Sequence, residues 1–452
     1  MSEQEQRLIH GQWSSRMAFI LAASGSAIGL GNIWKFPYLV GENGGGAFVL
    51  IYILCVVMLG VPIMMAETLL GRKGRRSPVN TLLNLARQAG AGRLWGQVGW
   101  LGVVAGFLIL SYYSVIAGWS LAYIFKMSSG FMNQVDAEKA RTAFLALQGS
   151  PELQFIWHSL FMIATVSIVS RGVNRGLEAA TRYLMPLLFI MILALDLFAL
   201  GSEGAGQGLS FLFKPDFSRL SGESLMIALG QAFFSLGLGM GAIMMYGSYL
   251  PDGVSITRAS LIVAGADTLI ALLAGVAIFP IVFTHHLAPG MGPGLIFETL
   301  PIAFGKMPAG HLFGTIFFVL VFFAAITSAI ALIEPTVAWL YENRGMSRES
   351  ASLWSGLACW LVGLGTIQSF SDPLHWRIGD KSLFEWLDFV TAELMLPIGG
   401  ILIAVFAGWV LSAETTAGEL ALGSRYRLWR FAIRYLAPLG VGLILLRGVG
   451  GM

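Results

Sequence analysis

Apolar stretches of about twenty residues, separated by short polar or charged runs, recur from one end of the chain to the other, and each is long enough to cross a bilayer as a helix. Eleven stand out, at about 17–38, 46–70, 97–125, 153–170, 176–200, 224–250, 256–284, 311–341, 350–370, 387–411 and 430–448. Two depart from the Leu, Ile and Val filling expected of a lipid-facing helix. The first contains 25-GSAIGLGN-32, with Ser24 before it and the charged Lys35 just after. The sixth reads 231-QAFFSLGLGMGAIMMYGSY-249, with Gly237, Gly239 and Gly241 at alternate positions. Glycine weakens a helix interior and frees backbone groups. In hydrocarbon those groups are tolerated only where protein buries them or a wet cavity receives them. Both stretches therefore predict helices broken at mid-membrane depth. Breaks at spans one and six are the pattern of two inverted five-helix repeats, about 17–200 and 224–411, followed by an extra helix at about 430–448.

Composition excludes a soluble protein. Hydrophobic residues are 56% of the chain and charged residues 12%, against roughly a quarter charged in soluble domains. No separate soluble domain is expected, and no removable signal peptide, since no small-residue cleavage site precedes the first span. Cys55 and Cys359 fall inside spans and are expected as free thiols. The basic residues give the orientation. With the N-terminus in the cytoplasm of a cell (inner) membrane protein, eighteen of the 28 Lys and Arg fall inside, led by the run 72-RKGRR-76. A basic run also suits nucleic acid, but within this hydropathy pattern it reads as topology, and no nucleic-acid partner is expected. The oligomeric state is not legible.

Ionisable residues inside spans are functional candidates. Glu67 reads as an acceptor for the freed backbone of the first helix, and Asp267 as a lone carboxylate that must be protonated or paired with a cation. Asp196 lies near an outer end and reads as solvated. Tyr112 and Tyr113 cannot face the same way, so at most one meets a central cavity. Thr327 and Ser328 offer hydroxyl oxygens, although such residues more often bond their own helix. His285 and His286 read as polar surface. The GxGxG run has neither a preceding strand nor a following Lys-Ser/Thr, so a nucleotide loop is rejected. No nucleophile–base pair or metal cluster supports an enzyme.

Taken together, 29-GLGNIWKFP-37, 42-ENGGGAF-48, Gly60-Val61-Pro62 with Glu67, 231-QAFFSLGLGMG-241 and 324-AAITS-328 resemble the neurotransmitter:sodium symporters, in their shorter bacterial eleven-span branch. The resemblance covers nearly the whole chain and implies an all-α membrane transporter of the LeuT-type fold that takes up amino acids with sodium by alternating access. It implies two sodium sites: one from the Ala27 carbonyl, Asn32, Ser235 and Asp267, the other from carbonyls of Gly25, Ile28 and Ala324 with the hydroxyls of Thr327 and Ser328. The substrate would lie against Ser26, Ala27, Gly31, Ile109, Tyr113, Phe234, Ser235, Gly237, Met240, Ser328 and Leu332. Its carboxylate would meet the amides near Leu30 and Gly31, the Tyr113 hydroxyl and the first sodium.

Amine-transporting relatives have Asp where this chain has Gly29, so the resemblance implies a substrate bringing its own carboxylate. Gly237 and Met240 stand where some relatives have Ser and Phe, which implies large apolar or aromatic amino acids. Chloride-dependent relatives have Asn at Asp267 and Ser at Ala271, which implies chloride-independent transport, with Asp267 a candidate to protonate on the return step. Lys35 and Asp388 match an outer gate, and Tyr249 and Glu342 an inner one. The usual partner Arg of the inner gate aligns with His10, which leaves three readings open: Arg7 substitutes, His10 makes closure pH-sensitive, or His10 is simply exposed. The alternative is a sodium-dependent membrane sensor that binds an amino acid without moving it.

Overall fold

A computed structural model describes residues 10–133, 135–287, 294–372 and 375–450. Arg7 therefore lies outside the described residues. Among the described residues nine continuous helices are long and apolar enough to span a bilayer: α3 (Gly46–Gly74), α4 (Arg93–Ser128), α5 (Pro151–Ser170), α6 (Val173–Leu200), α9 (Ile256–Thr284), α10 (Gly310–Arg344), α11 (Arg348–Ser371), α12 (Leu383–Val410) and α13 (Gly423–Gly448). Each falls on a predicted span. The first span is a pair, α1 (Arg16–Ala27) and α2 (Gly31–Glu42), bent by 53° at the break. The sixth is also a pair, α7 (Gly222–Ser235) and α8 (Ala242–Ser248).

The two breaks have different local causes. In the first, Ile28 leaves the helix with an extended backbone (ψ 106°), while its N–H still reaches the Ser24 carbonyl. In the sixth, Gly237, Gly239 and Gly241 all have left-handed backbones, with φ of 64°, 81° and 73°. Only glycine takes such values without strain, which explains the alternation in the sequence. At Gly239 space is lacking as well, because a Cβ there would fall 2.5 Å from the Leu396 carbonyl.

Glu67 stabilises a break, though not the one expected. Its Oε1 accepts from the Gly239 N–H at 2.7 Å, in the sixth span rather than the first. The reason is packing. α3 lies flush against α8, where Gly71 faces the Met244 carbonyl and Gly247 faces Thr68 so closely that a Cβ on either would collide. Small residues let membrane helices approach to backbone contact, and that approach carries Glu67 to the sixth span.

Asp196 also differs from expectation. It is 4% exposed, buried near the C-terminal end of α6 rather than solvated. Cys55 and Cys359 are buried and free. Short helices, among them Pro78–Gln88, Ala137–Gln148 and Ala205–Phe213, cap the ends of the bundle. A two-stranded hairpin pairs Arg377–Ile378 with Lys381–Ser382 before α12.

Candidate transport site

The two breaks face one another at the centre of the bundle, and the polar groups they release meet residues of α3, α9 and α10. Asn32 opens the second half of the first span. Its Nδ2 donates to both the carbonyl and the Oδ1 of Asp267, at 3.1 and 2.7 Å, and its Oδ1 accepts from the Gly29 N–H at 3.1 Å. The other carboxylate oxygen of Asp267 accepts from Ser235 Oγ at 3.0 Å and from Tyr52 Oη at 3.2 Å. Tyr52 and Ser235 are themselves 3.0 Å apart. Asn32, Tyr52 and Asp267 are fully buried and Ser235 nearly so.

This cluster holds one carboxylate and, apart from the Asn32 amide, only oxygen side chains. A buried carboxylate without a cationic side chain beside it needs a proton or a cation. Hard oxygen donors in a closed pocket suit a small hard cation.

A second set of oxygens gathers a few ångströms along the first span. Ser328 Oγ on α10 lies 3.4, 3.3 and 3.3 Å from the carbonyls of Gly25, Ser26 and Ile28, reaching across to the unwound segment. Thr327 stays on its own helix and bonds the Phe323 and Ala324 carbonyls, both at 3.0 Å. A Cβ on Gly25 would come within 3.1 Å of Thr327. Absence of a side chain there is what lets the two elements touch.

Between these sets lies a narrow cavity of about 40 Å³. Ser26, Ala27, Leu30, Gly31, Ile109, Tyr113, Phe234, Ser235, Gly237, Met240, Ser328 and Leu332 all line it, together with Gly29. One end is polar, with the Leu30 N–H 3.5 Å from Tyr113 Oη. Ile109, Phe234, Met240 and Leu332 make the rest apolar. Met240 leans over Gly237, whose Cβ would stand 3.8 Å from the thioether sulfur.

Phe234 also borders a second cavity, so its ring divides the two. Lys35 Nζ sits 4.4 Å above that ring. Asp388 lines this second cavity but accepts a hydrogen bond from Tyr112 Oη at 3.2 Å. Among the described residues Lys35 and Asp388 form no ion pair; each is held by an aromatic neighbour. The two tyrosines part as helix geometry requires: Tyr113 faces the central cavity and Tyr112 faces α12.

At the opposite end, Tyr249 and Glu342 belong to separate networks. Tyr249 Oη donates to Glu334, whose other oxygen is held by Arg348 Nη2 at 2.6 Å. Glu342 accepts from His10 Nε2 at 2.6 Å, from the Ser77 N–H and hydroxyl at 2.7 and 2.6 Å, and from Asn80 at 2.6 Å. His10 links the two, its ring 5.7 Å from that of Tyr249. Trp13 seals this end, nearly fully buried, with its indole N–H on the Tyr246 carbonyl at 3.0 Å.

Tyr52, Glu334 and Arg348 were not read as site residues from the sequence. Glu334 carried the same signal as Glu67, a carboxylate inside an apolar span. Tyr52 offered only a phenol in a long apolar run, which is ordinary.

With this geometry in view, the comparison with known proteins is decisive. The sequence profile of the Sodium:neurotransmitter symporter family matches residues 10–140 and 142–449. The chain belongs to that family. It is a sodium-dependent transporter rather than an enzyme, and it has the LeuT-type fold. The transporter is 37% identical over 444 residues to a protein of Bacillus subtilis described as the uncharacterized sodium-dependent transporter YhdH, covering 97% of this chain and 98% of that one. It is 32% identical to an uncharacterized sodium-dependent transporter of Haemophilus influenzae, covering 94% and 95%. Among solved structures, the transporter superposes on MhsT in complex with L-phenylalanine with a TM-score of 0.90 and 40% identity, covering 97% of this chain and all of that one.

Proposed function

We propose that this transporter carries an amino acid, of the large apolar or aromatic kind, together with sodium at two sites and without chloride. The cell membrane would hold it with the N-terminus in the cytoplasm, as the basic residues suggest. The single observation behind this reading is the adjacency of the Asp267 oxygen cluster and a cavity that is polar at one end and apolar at the other.

In this reading Asn32, Ser235, Asp267 and the Ala27 carbonyl hold the first sodium. The carbonyls of Gly25, Ile28 and Ala324, with Thr327 and Ser328, hold the second. Ser328 would turn its hydroxyl hydrogen away from the carbonyls it now meets, so that oxygen rather than hydrogen faces the ion. The substrate carboxylate would take the Leu30 and Gly31 amides, the Tyr113 hydroxyl and the first sodium. Its side chain would fill the space bounded by Ile109, Phe234, Met240 and Leu332. Methionine adapts its shape, which favours large and varied side chains. The phenylalanine named for MhsT supports an aromatic ligand.

Gly29 supports the carboxylate requirement. A Cβ at this position would lie 2.6 Å from Ser328 Oγ and 3.2 Å from Tyr113 Oη. A side-chain carboxylate there, able to replace one missing from the substrate, would displace both. Asp267 supports chloride independence, because a fixed carboxylate supplies the negative charge beside the first sodium. Coupling follows from shared geometry: ion and substrate each stabilise the arrangement the other needs, and that mutual free energy lets the sodium gradient drive uptake.

The test is uptake of radiolabelled leucine and phenylalanine into proteoliposomes. Uptake should follow an inward sodium gradient, stop in potassium or choline, and persist when gluconate replaces chloride. Sodium-dependent binding without accumulation would favour the sensor reading, and tightest competition by glycine or a dicarboxylic acid would refute the proposed substrate class.

A further inference from the structure

A furrow lies on the lipid-facing side of the scaffold, between α5 and α11, remote from the central cavity. It offers about 470 Å³, walled by Ile163, Val166 and Ser167 on one helix and by Leu353, Leu357 and Trp360 on the other. At its floor the Val166 side chain packs on bare Gly356 backbone: a Cβ on Gly356 would fall 2.2 Å from a Val166 methyl. Trp360 is tethered at one end by its indole N–H, which donates to Ser159 Oγ at 3.0 Å. The furrow is therefore a mostly apolar slot with Trp360 anchored at one end. Ile163, Leu353 and Leu357 are 62%, 59% and 40% exposed.

Charge is concentrated at one mouth. Residues four apart share a helix face, so Arg171, at the C-terminal end of α5, continues the stripe of Ile163 and Ser167. Arg175 lies in the first turn of α6, past the break at Gly172, where φ is 85°, and both arginines are exposed. Neither forms an ion pair among the described residues. This is the end that carries the N-terminal arm, because Asn174 Nδ2 donates to the Gln12 carbonyl at 2.8 Å. One carboxylate is set against these cations: Glu349, exposed in the first turn of α11 and one turn before Leu353.

We infer that this furrow binds one anionic phospholipid, with an acyl chain in the slot and the phosphate at Arg171 and Arg175. Basic positions between membrane helices on the cytoplasmic side recognise anionic headgroups, and the slot supplies a bed for a chain. A zwitterionic lipid has the same chain, but its headgroup cation would meet Arg171. The preference for negative charge therefore resides in the mouth, and the affinity for a chain in the walls.

Trp360 provides the readout. The full-length protein is placed in phosphatidylcholine vesicles with a rising fraction of phosphatidylglycerol brominated in its acyl chains, bromine being a contact quencher of indole. The emission of Trp360, one of 13 tryptophans, is taken as the difference between wild type and Trp360→Phe. In a parallel series the bromine is on the phosphatidylcholine. Half-quenching should occur at roughly a tenfold lower fraction of brominated phosphatidylglycerol than of brominated phosphatidylcholine. Arg171→Ala should bring the two curves together, Arg171→Lys should keep them apart, and Glu349→Gln should widen the gap. Equal quenching by both lipids in the wild type overturns the inference, and so does a preference that survives joint removal of Arg171 and Arg175. Absence of quenching by either lipid overturns it as well, and disulfide cross-linking of a Leu357→Cys variant would then assign the furrow to a second copy of the chain.

Discussion

Asn32 donates to Asp267 twice, through its carboxylate at 2.7 Å and its backbone carbonyl at 3.1 Å. The first residue of consequence beyond the break in span one is thereby fixed to the middle of span seven. The same carboxylate gathers Ser235 from the end of α7 and Tyr52 from α3. Four helices thus converge on one buried negative group, and displacement of any of them alters the surroundings of that charge.

Replacing the carboxylate should weaken sodium more than it weakens the fold. Asp267→Asn keeps the shape but removes the charge, and its amide nitrogen must donate where the carboxylate now accepts from Ser235 and Tyr52. It should raise the half-saturating sodium concentration at least tenfold, equivalent to about 1.4 kcal/mol. Sodium titration of leucine binding to the purified variant checks this, and an unchanged sodium requirement would count against a role for Asp267 in holding the ion. If the charge stands in for an anion, the variant should also respond to added chloride where the wild type does not.

Ser328→Ala should act on the second set of oxygens alone. It removes the hydroxyl that touches three carbonyls of the unwound segment while leaving the Asp267 cluster whole. Sodium cooperativity in binding should fall, toward a Hill coefficient of one, with the amino-acid preference unchanged. An altered preference with intact cooperativity would assign Ser328 to the substrate instead.

The apolar end of the cavity should set side-chain size. Met240→Phe replaces a deformable chain with a rigid ring beside Gly237. It should shift competition from tryptophan and tyrosine toward leucine and smaller residues by roughly tenfold to a hundredfold, the usual range for a methylene-scale change in an apolar pocket. Competition against radiolabelled leucine reads the shift.

At the end that carries the N-terminal arm, His10→Ala removes one partner of Glu342 and leaves Ser77 and Asn80 in place. A hydrogen bond of this kind contributes about 0.5–1.5 kcal/mol, so opening of the arm should become roughly twofold to tenfold more frequent. Amide hydrogen exchange at Trp13 measures it directly, since that N–H is bonded to the Tyr249 carbonyl at 3.0 Å. Protection equal to wild type would mean that Trp13, not His10, holds the arm.

Local signals foretold the breaks; partnerships between distant helices were beyond their reach. Glycines at 237, 239 and 241, or at 25, 29 and 31, declare a backbone that cannot remain an ordinary membrane helix. The lone polar residues Asn32 and Asp267 declare that something must satisfy them. Which carboxylate serves which break is decided by packing: Glu67 reaches Gly239 because Gly71 and Gly247 let α3 and α8 touch. Tyr249 pairs with Glu334 and not Glu342 because both lie deeper, at the level of Arg348. Asp196 looked solvated from its place along α6, but its exposure depends on which face of the helix the bundle covers, and a lone apolar run does not record that.

The most direct measurement is equilibrium binding of radiolabelled leucine to the purified transporter as sodium replaces potassium at constant ionic strength. Buried oxygens that need a cation before they can receive a carboxylate should give binding that rises from near zero with sodium and is lost in Asp267→Asn at the same concentration. Equal binding in potassium and sodium, or wild-type sodium dependence in that variant, would contradict the account.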